Sequence, residues 1–119
     1  FAYRVQYYSG DAEIAPGINV HFIGGHAAGL QCVSVETARG RVILATDAAH
    51  YYESFLEEPQ FTTHIHMAGM LEGYRTLRRL APADSHVVPG HDPMVLDRYP
   101  AAAPGLEGIA VRLDLPEQV

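Results

Sequence analysis

The sequence predicts one structural unit of the α/β (α+β) class, with strands in its first half and helices mainly in its second. Short runs rich in Val, Ile and Tyr, separated by Gly and Pro turns, occupy most of residues 4–46. From Met67 onward the apolar residues instead recur at three- and four-residue spacing, which is the period of a helix. The chain has no internal repeat and no low-complexity tract, so we expect a single core.

Four strands are predicted before Asp47. Residues 4–8 alternate loosely and form the first, and residues 18–23 form the second, which runs into a Gly-Gly-His sequence. Residues 30–36 and 41–46 flank a three-residue Ala-Arg-Gly connection, which is short enough for a β-hairpin. The last of these strands is apolar on both faces, as is typical of a strand buried inside a sandwich.

A long helix is predicted to begin at Met67 and to end before Pro82. One of its faces carries the apolar residues Met67, Met70, Leu71, Tyr74 and Leu77. Arg75, Arg78 and Arg79 crowd its C-terminal end, where the helix dipole favours cations. We interpret the three arginines as a solvent-exposed helix end, with binding of a carboxylate or phosphate as the alternative.

Three shorter elements are predicted after this helix. Residues 85–88 form a brief strand that leads into a Pro-Gly-His sequence. Asp92 and Pro93 fit the N-cap and the first position of a short helix that extends toward Tyr99. Residues 105–113 are predicted to add a last edge strand.

Composition and charge exclude several functional classes. A chain of 119 residues, 48% of them hydrophobic and 18% charged, can form one compact core. No apolar run reaches the roughly 18 residues that a membrane-spanning helix needs, so no membrane partner is expected. The net charge of −6, with Arg as the basic residue throughout, argues against nucleic-acid binding. The single cysteine, Cys32, forms no internal disulfide and is expected to be buried.

Three predicted strands are each followed by a side chain that can bind a metal: His26, Asp47 and His91. Small residues surround all three and leave room for a metal and a substrate. Two imidazoles and a carboxylate suit zinc or another borderline divalent ion, and the carboxylate has two oxygens with which to bridge two ions. The alternative is that each residue is a turn or capping residue, with Asp47 capping the next helix.

The three segments that carry these side chains resemble the later motifs of the metallo-β-lactamase superfamily. The segments read Gly-Gly-His-Ala-Ala-Gly-Leu-Gln, Ile-Leu-Ala-Thr-Asp-Ala-Ala-His-Tyr-Tyr and Val-Val-Pro-Gly-His-Asp-Pro. Within the superfamily they are most similar to the N-acyl-homoserine-lactone lactonases, over residues 18–99. The resemblance implies half of an αββα sandwich, built on a mixed sheet with helices on one face. It also implies two divalent metal ions, expected to be Zn²⁺: His26 binds the first, Asp47 bridges both and His91 binds the second.

The superfamily's His-x-His-x-Asp-His motif has no copy in the chain. His64 and His66 resemble only its opening, because Ala-Gly follows where Asp-His is required, and they come too late in the sequence. We interpret both as substrate-pocket or surface residues. Residues 1–119 are therefore interpreted as the C-terminal portion of a single metallo-β-lactamase-like domain, whose N-terminal half is an absent partner. This portion alone is expected to be inactive, with residues 42–45 and the face of helix 67–77 lacking their cover.

For the complete protein, the resemblance implies a hydrolase that opens the lactone ring of N-acyl homoserine lactones with a metal-activated hydroxide, the chemistry of quorum quenching. Asp47 and His50 are the candidate catalytic residues, since His50 stands where this branch places a substrate-polarising Tyr. Either His50 takes that donor role, or Tyr51 or Tyr52 reaches the substrate, or all three are packing residues. The alternative functions are hydrolysis of a thioester, a β-lactam or another ester, and a non-catalytic binding module.

The remaining expectations are less specific. Four apolar residues are expected to line a pocket for an acyl chain, with a role in the ordinary hydrophobic core as the alternative: Phe55, Leu56, Phe61 and Met70. His21 is expected to face outward or to make a hydrogen bond, and His86 is a candidate to support a metal ligand. The substrate is expected to be a small lactone or ester, the compartment cytoplasmic, and a homodimer is left open.

Overall fold

The structure, a computed structural model, describes residues 4–57 and 64–118. The described part of the chain contains a five-stranded sheet, made of β1 (Ala12–Ala15), β2 (Ile18–Phe22), β3 (Gln31–Thr37), β4 (Gly40–Thr46) and β5 (Val87–Pro89). The α-helices are α1 (Tyr52–Leu56), α2 (Met67–Leu80) and α3 (Met94–Arg98), and a 3₁₀ helix (Asp84–His86) precedes β5. No described helix has the length and apolar character that would let it cross a bilayer.

The sheet is mixed, with its strands in chain order from β1 to β5. The pairs β1–β2, β2–β3 and β3–β4 are antiparallel, whereas β5 lies parallel to β4. The parallel pair needs a long crossover connection, which α1 and α2 supply. This arrangement confirms the predicted α+β class with a mixed sheet.

The hairpin between β3 and β4 confirms the pairing predicted from the Ala-Arg-Gly connection. Thr37 pairs with Gly40 across the turn, and the hydroxyl of Thr37 donates a 2.6 Å hydrogen bond to the carbonyl of Gly40. Gly40 has φ 104°, in the left-handed region where a side chain would be strained. Glycine therefore closes this hairpin with no steric cost.

Helix α2 covers one face of the sheet. Its residues Tyr74 and Leu77 are 1% and 0% exposed and pack into a core with Ile43 of β4 and Cys32 of β3. Val42 of β4, which points to the opposite face, is buried against Tyr99 in a second cluster, to which α3 contributes Val95. The expectation that residues 42–45 and the helix face would lack cover is thus wrong, because α2 and the C-terminal segment supply it.

The second face remains partly open over β2 and β3. Ile18 pairs with Val35 and Val20 with Val33, and paired residues share a face. Ile18, Val33 and Val35 are half-buried, whereas Val20 is only 9% exposed. Phe22, at the end of the same row, is 51% exposed. An apolar surface is therefore accessible at this half of the sheet.

Two predicted strands are wrong. Residues 4–8 are not a strand, and the first strand is Ala12–Ala15, which pairs with β2. Their β propensity is not enough without a partner, and Tyr7 is 90% exposed. Residues 105–113 form only an isolated bridge, between Ala101 and Val111, because Gly105 and Gly108 at φ 85° and 72° turn the chain.

The strand predicted at residues 85–88 and the short helix predicted after Asp92 have shifted bounds. The strand predicted at 85–88 is confirmed only as β5, since its first residues belong to the 3₁₀ helix. Helix α3 begins at Met94, so its N-cap is Pro93 and not Asp92 as predicted, although Asp92 Oδ1 accepts a 2.9 Å hydrogen bond from Met94 N. Helix α2 begins at Met67 as predicted.

Candidate metal centre

Sheet topology brings the three predicted metal ligands to one edge. Strands β2, β4 and β5 run in the same direction, because two antiparallel pairings separate β2 from β4 and a parallel pairing joins β4 to β5. Their C-terminal ends therefore lie at the same edge of the sheet. His26, Asp47 and His91 follow these ends within a few residues.

Asp47 lies at the centre of the group. Its Oδ1 is 2.6 Å from Nε2 of His91, and its Oδ2 is 3.8 Å from Nε2 of His26. The three residues singled out from the sequence are thus brought together, with one imidazole at each carboxylate oxygen. The side chains of Asp47 and His91 are 41% and 57% exposed, so a small molecule can approach from solvent.

His50 is a third imidazole in the same group. Its Nε2 lies 3.5 Å from Oδ1 of Asp47. Its ring centroid is 5.3 Å from that of His26 and 4.9 Å from that of His91, and both contacts are edge-on. His26, Asp47 and His50 each offer one ligand atom, and these atoms lie within 4.8 Å of one another. From the sequence, His50 is a catalytic candidate but not a metal-ligand candidate.

Backbone hydrogen bonds join the two loops that carry Asp47 and His91. Gly90 N donates to the carbonyl of Ala49 at 3.0 Å, and His91 N donates to the carbonyl of His50 at 2.9 Å. The Asp92 carboxylate adds a third link, because its Oδ2 accepts a 2.9 Å bond from Tyr52 N. This second role of Asp92 was missed, since only its short-range capping of α3 is visible in the sequence.

Close packing holds the same loops at short range. A side chain at Gly90 would place its Cβ only 2.5 Å from the carbonyl oxygen of Thr46. Thr46, directly before Asp47, has φ 53°, a strained conformation for a β-branched residue. Its hydroxyl donates to the carbonyl of Gln31 at 3.1 Å, which helps to hold that backbone.

The electrostatics of the group favour an ionised Asp47 and a neutral His50. The pKa of Asp47 is lowered, first by its hydrogen bond with His91 and then by its charge interactions with the three imidazoles. The pKa of His50 is lowered, first by burial and then by the neighbouring His91. An ionised carboxylate and neutral imidazoles are the forms that bind metals. Three imidazole nitrogens and a carboxylate fit zinc or a similar divalent ion.

The two tyrosines after His50 lie in different surroundings. Tyr51 is 43% exposed, and its ring centroid is 6.5 Å from that of His50. Tyr52 is 5% exposed, and its ring packs 3.8 Å from the guanidinium carbon of Arg98. Of the two, Tyr51 is therefore the one at the accessible rim of the site.

The described residues expected to line an acyl-chain pocket do not lie together around a cavity. Phe55 and Met70, 1% and 5% exposed, belong to the hydrophobic core beneath α2, which is the alternative role considered for them. Leu56 is 48% exposed, and Phe61 lies outside the described residues. The arrangement of Phe55, Leu56 and Met70 therefore supplies no enclosed apolar pocket beside Asp47.

His21, His66 and His86 make hydrogen-bond contacts away from Asp47. His21 makes hydrogen-bond contacts with Ser34 (2.9 Å) and Asp11 (3.2 Å). His66 caps α2 by accepting a 3.0 Å bond from Gly69 N. His86 Nε2 contacts the carbonyl of Arg39 at 2.9 Å, at the opposite edge of the sheet, so its expected support of a metal ligand is wrong.

The arginines near the end of α2 are mostly held by local contacts. Arg75 pairs with Glu72 at 3.1 Å on the exposed surface of the helix. Arg78 is not a solvated residue, because it donates to the carbonyl of Phe55 at 2.7 Å and its guanidinium lies over that ring. This contact ties α2 to α1, so the expectation of a fully solvent-exposed helix end is wrong at Arg78.

Comparison with known proteins places the chain near lactonases, although no protein-family model matches it. It is 38% identical to N-acyl homoserine lactonases of Bacillus cereus and of Bacillus thuringiensis subsp. kurstaki (AiiA), over 53 residues. The match covers 44% of this chain and 21% of each relative. The matched segment therefore spans about a fifth of the length of these relatives.

Solved structures extend the comparison. A mutant of B. thuringiensis AiiA with N-decanoyl-L-homoserine at its active site superposes with a TM-score of 0.64 at 29% identity. An N-acyl homoserine lactone hydrolase with N-hexanoyl-L-homoserine at its catalytic metal centre gives the same values, and in both cases 71% of this chain and 34% of the other are covered. AidC, a dizinc quorum-quenching lactonase, shares the fold with a TM-score of 0.59 at 14% identity. The predicted resemblance to lactonases of the metallo-β-lactamase fold is confirmed.

Proposed function

We propose that this chain is part of a metal-dependent hydrolase that opens the lactone ring of N-acyl homoserine lactones. One observation carries the proposal: Asp47 and its imidazole neighbours converge at the edge of a sheet similar to that of such lactonases. The group is accessible to a small molecule, as the exposure of Asp47 and His91 indicates. The substrate class is taken from the relatives, one of which holds a hydrolysed homoserine product at a metal centre.

Asp47, His26 and His91 are the residues proposed to hold two divalent ions, of which zinc best fits the donor set. Oδ1 of Asp47 faces His91 and Oδ2 faces His26, so the carboxylate would be able to serve an ion beside each imidazole. Such ions, when bound, supply an activated water near neutral pH and polarise the ester carbonyl. The contribution of this chain is to place the Asp47 carboxylate between the imidazoles of His26 and His91.

The remainder of the domain is proposed to come from sequence outside these residues. The His-x-His-x-Asp-His motif of the superfamily is absent from the 119 residues. Residues Ile18, Val33 and Val35 present half-buried apolar side chains, and Phe22 is 51% exposed. A second sheet packed on this surface would bury it and supply the further metal ligands. Activity is therefore proposed for the complete protein rather than for this portion.

The test is a measurement of bound metal and lactone hydrolysis in the full natural protein. Metal analysis is expected to find about two divalent ions per chain, and pH-stat titration is expected to detect opening of an N-acyl homoserine lactone. Asp47→Ala is expected to remove both, whereas Asp97→Ala, at an exposed position of α3, is the control that retains both. A folded, metal-free natural protein would contradict the proposal.

Substrate class needs a separate comparison, because thioester and β-lactam hydrolases can share these metal loops. The same preparation is assayed with a homoserine lactone, an acyl thioester and a cephalosporin. The proposal expects the highest kcat/KM for the lactone. Turnover of either competitor without any lactone opening would replace the lactonase assignment by another hydrolase of this fold.

A further inference from the structure

His50 is positioned like a metal ligand. All three imidazoles of the site present Nε2 to the Asp47 carboxylate, at 2.6 Å for His91, 3.5 Å for His50 and 3.8 Å for His26. The His50 ring meets each of the other two rings edge-on. Its ring nitrogen is thus directed to the same point as those of the two expected ligands.

Burial argues against His50 as the group that faces the substrate. Its side chain is 14% exposed, compared with 24% for His26 and 57% for His91. The backbone is anchored as well, because the carbonyl of His50 accepts a 2.9 Å bond from His91 N. Tyr51, at 43% exposure, lies at the rim of the site and is better placed to meet a substrate.

We propose that His50 is itself a metal ligand, so that His26, Asp47 and His50 form a three-ligand site within this chain. Their ligand atoms lie within 4.8 Å of one another. Three protein ligands with one open position is the usual composition of a catalytic zinc site. The inference rests on the proposed function for the presence of a metal, but it requires no particular substrate.

This assignment changes what the chain contributes to the site. The family resemblance implies that His26 and His91 bind different ions, and that each ion needs further ligands from the absent motif. With His50 as a ligand, one ion is held by residues of this chain, and His91 is left to complete its coordination or to serve the second ion. The substrate-facing hydroxyl is then assigned to Tyr51.

The experiment measures zinc affinity of the full natural protein by competition with a chromophoric chelator, together with the visible spectrum of the Co²⁺-substituted form. His50→Ala is expected to lower zinc affinity by about 100-fold or more, since changes outside the ligand shell alone cost roughly 10- to 100-fold. The Co²⁺ bands are expected to shift. His21→Ala and His86→Ala remove imidazoles outside the site and are expected to leave both readouts unchanged.

Two outcomes separate this inference from the proposed function. If His50→Ala keeps zinc affinity and the Co²⁺ spectrum while kcat falls, His50 is a substrate-facing donor and the inference is overturned, although the hydrolase remains. If zinc binding depends on His50 but no lactone is opened, the lactonase assignment fails and the inference holds.

A second measurement uses the unsubstituted protein and applies even if His50→Ala does not fold. The protein is labelled with ¹⁵N at histidine and loaded with ¹¹³Cd²⁺. A one-bond ¹¹³Cd–¹⁵N coupling at a ring nitrogen of His50 supports direct ligation. Couplings at His26 and His91 without one at His50, or no metal uptake by the natural protein, overturn the inference.

Discussion

Oδ2 of Asp92 accepts a 2.9 Å hydrogen bond from the backbone N–H of Tyr52, which lies 40 residues earlier in the chain. Its other oxygen, Oδ1, accepts a 2.9 Å bond from Met94 N. One carboxylate therefore satisfies backbone donors at the N-terminal ends of both α1 and α3. Because Asp92 follows His91 and Tyr52 lies two residues after His50, this side chain also connects the two loops of the candidate metal centre.

Asp92→Ala is expected to destabilise the protein by about 1–2 kcal/mol, because backbone donors at two helix ends lose their acceptor. Urea denaturation monitored by circular dichroism measures this change. As a control, Asp97→Ala removes an exposed carboxylate from α3 and is expected to change stability by less than about 0.5 kcal/mol. Equal effects of the two substitutions would show that Asp92 does not link the loops.

Gly90→Ala is expected to destabilise the protein by about 1–3 kcal/mol, because the new Cβ would lie 2.5 Å from the carbonyl oxygen of Thr46. The clash involves backbone, so it pushes the His91 loop away from Asp47. Gly29→Ala is the matched control, since a Cβ there meets no described atom within 4 Å. Thermal denaturation measures the stability of both variants. A Gly90→Ala variant as stable as the natural protein would contradict the close approach of the two loops.

Cys32 is expected to resist alkylation in the folded protein. It is 0% exposed, and burial raises the pKa of its thiol to about 12, so almost no thiolate exists at pH 8. Labelling with iodoacetamide at pH 8 is expected to be slow without denaturant and rapid in concentrated urea. Rapid labelling of the native protein would show that the packing of α2 over β3 opens readily.

Asp11 is expected to stabilise the fold at neutral pH and to lose this effect in acid. Its pKa is lowered, first by the hydrogen bond from Phe22 N and then by the contact with His21. A lowered carboxyl pKa means that the stabilisation is complete above the ordinary value near 3.8 and disappears as the pH falls through the folded-state value. Since the side chain is 66% exposed, the effect is expected to stay below about 1 kcal/mol.

The measurement for Asp11 compares the natural protein with Asp11→Asn in urea denaturation at pH 6 and at lower pH values. The difference in unfolding free energy between the two is expected to shrink as the solution is acidified. A difference that stays constant down to pH 2 would contradict a contribution from the ionised carboxylate.

Local patterns were sufficient for the elements that carry the site. The period of Met67 to Leu77 predicts α2, and the Ala-Arg-Gly connection predicts the β3–β4 hairpin, because both signals lie within a few residues. The same patterns failed at residues 4–8 and 105–113. Strand propensity there has no partner strand to pair with among the described residues, and pairing is a long-range property.

The amino-acid sequence specifies which side chains have metal-binding chemistry and that His26, Asp47 and His91 each follow a strand. That these three meet, that His50 joins them and that Asp92 connects their loops depends on the tertiary structure. These contacts follow from the directions of the strands. β5 pairs parallel to β4, and this pairing brings residues 44 positions apart to within 2.6 Å, which no local pattern specifies.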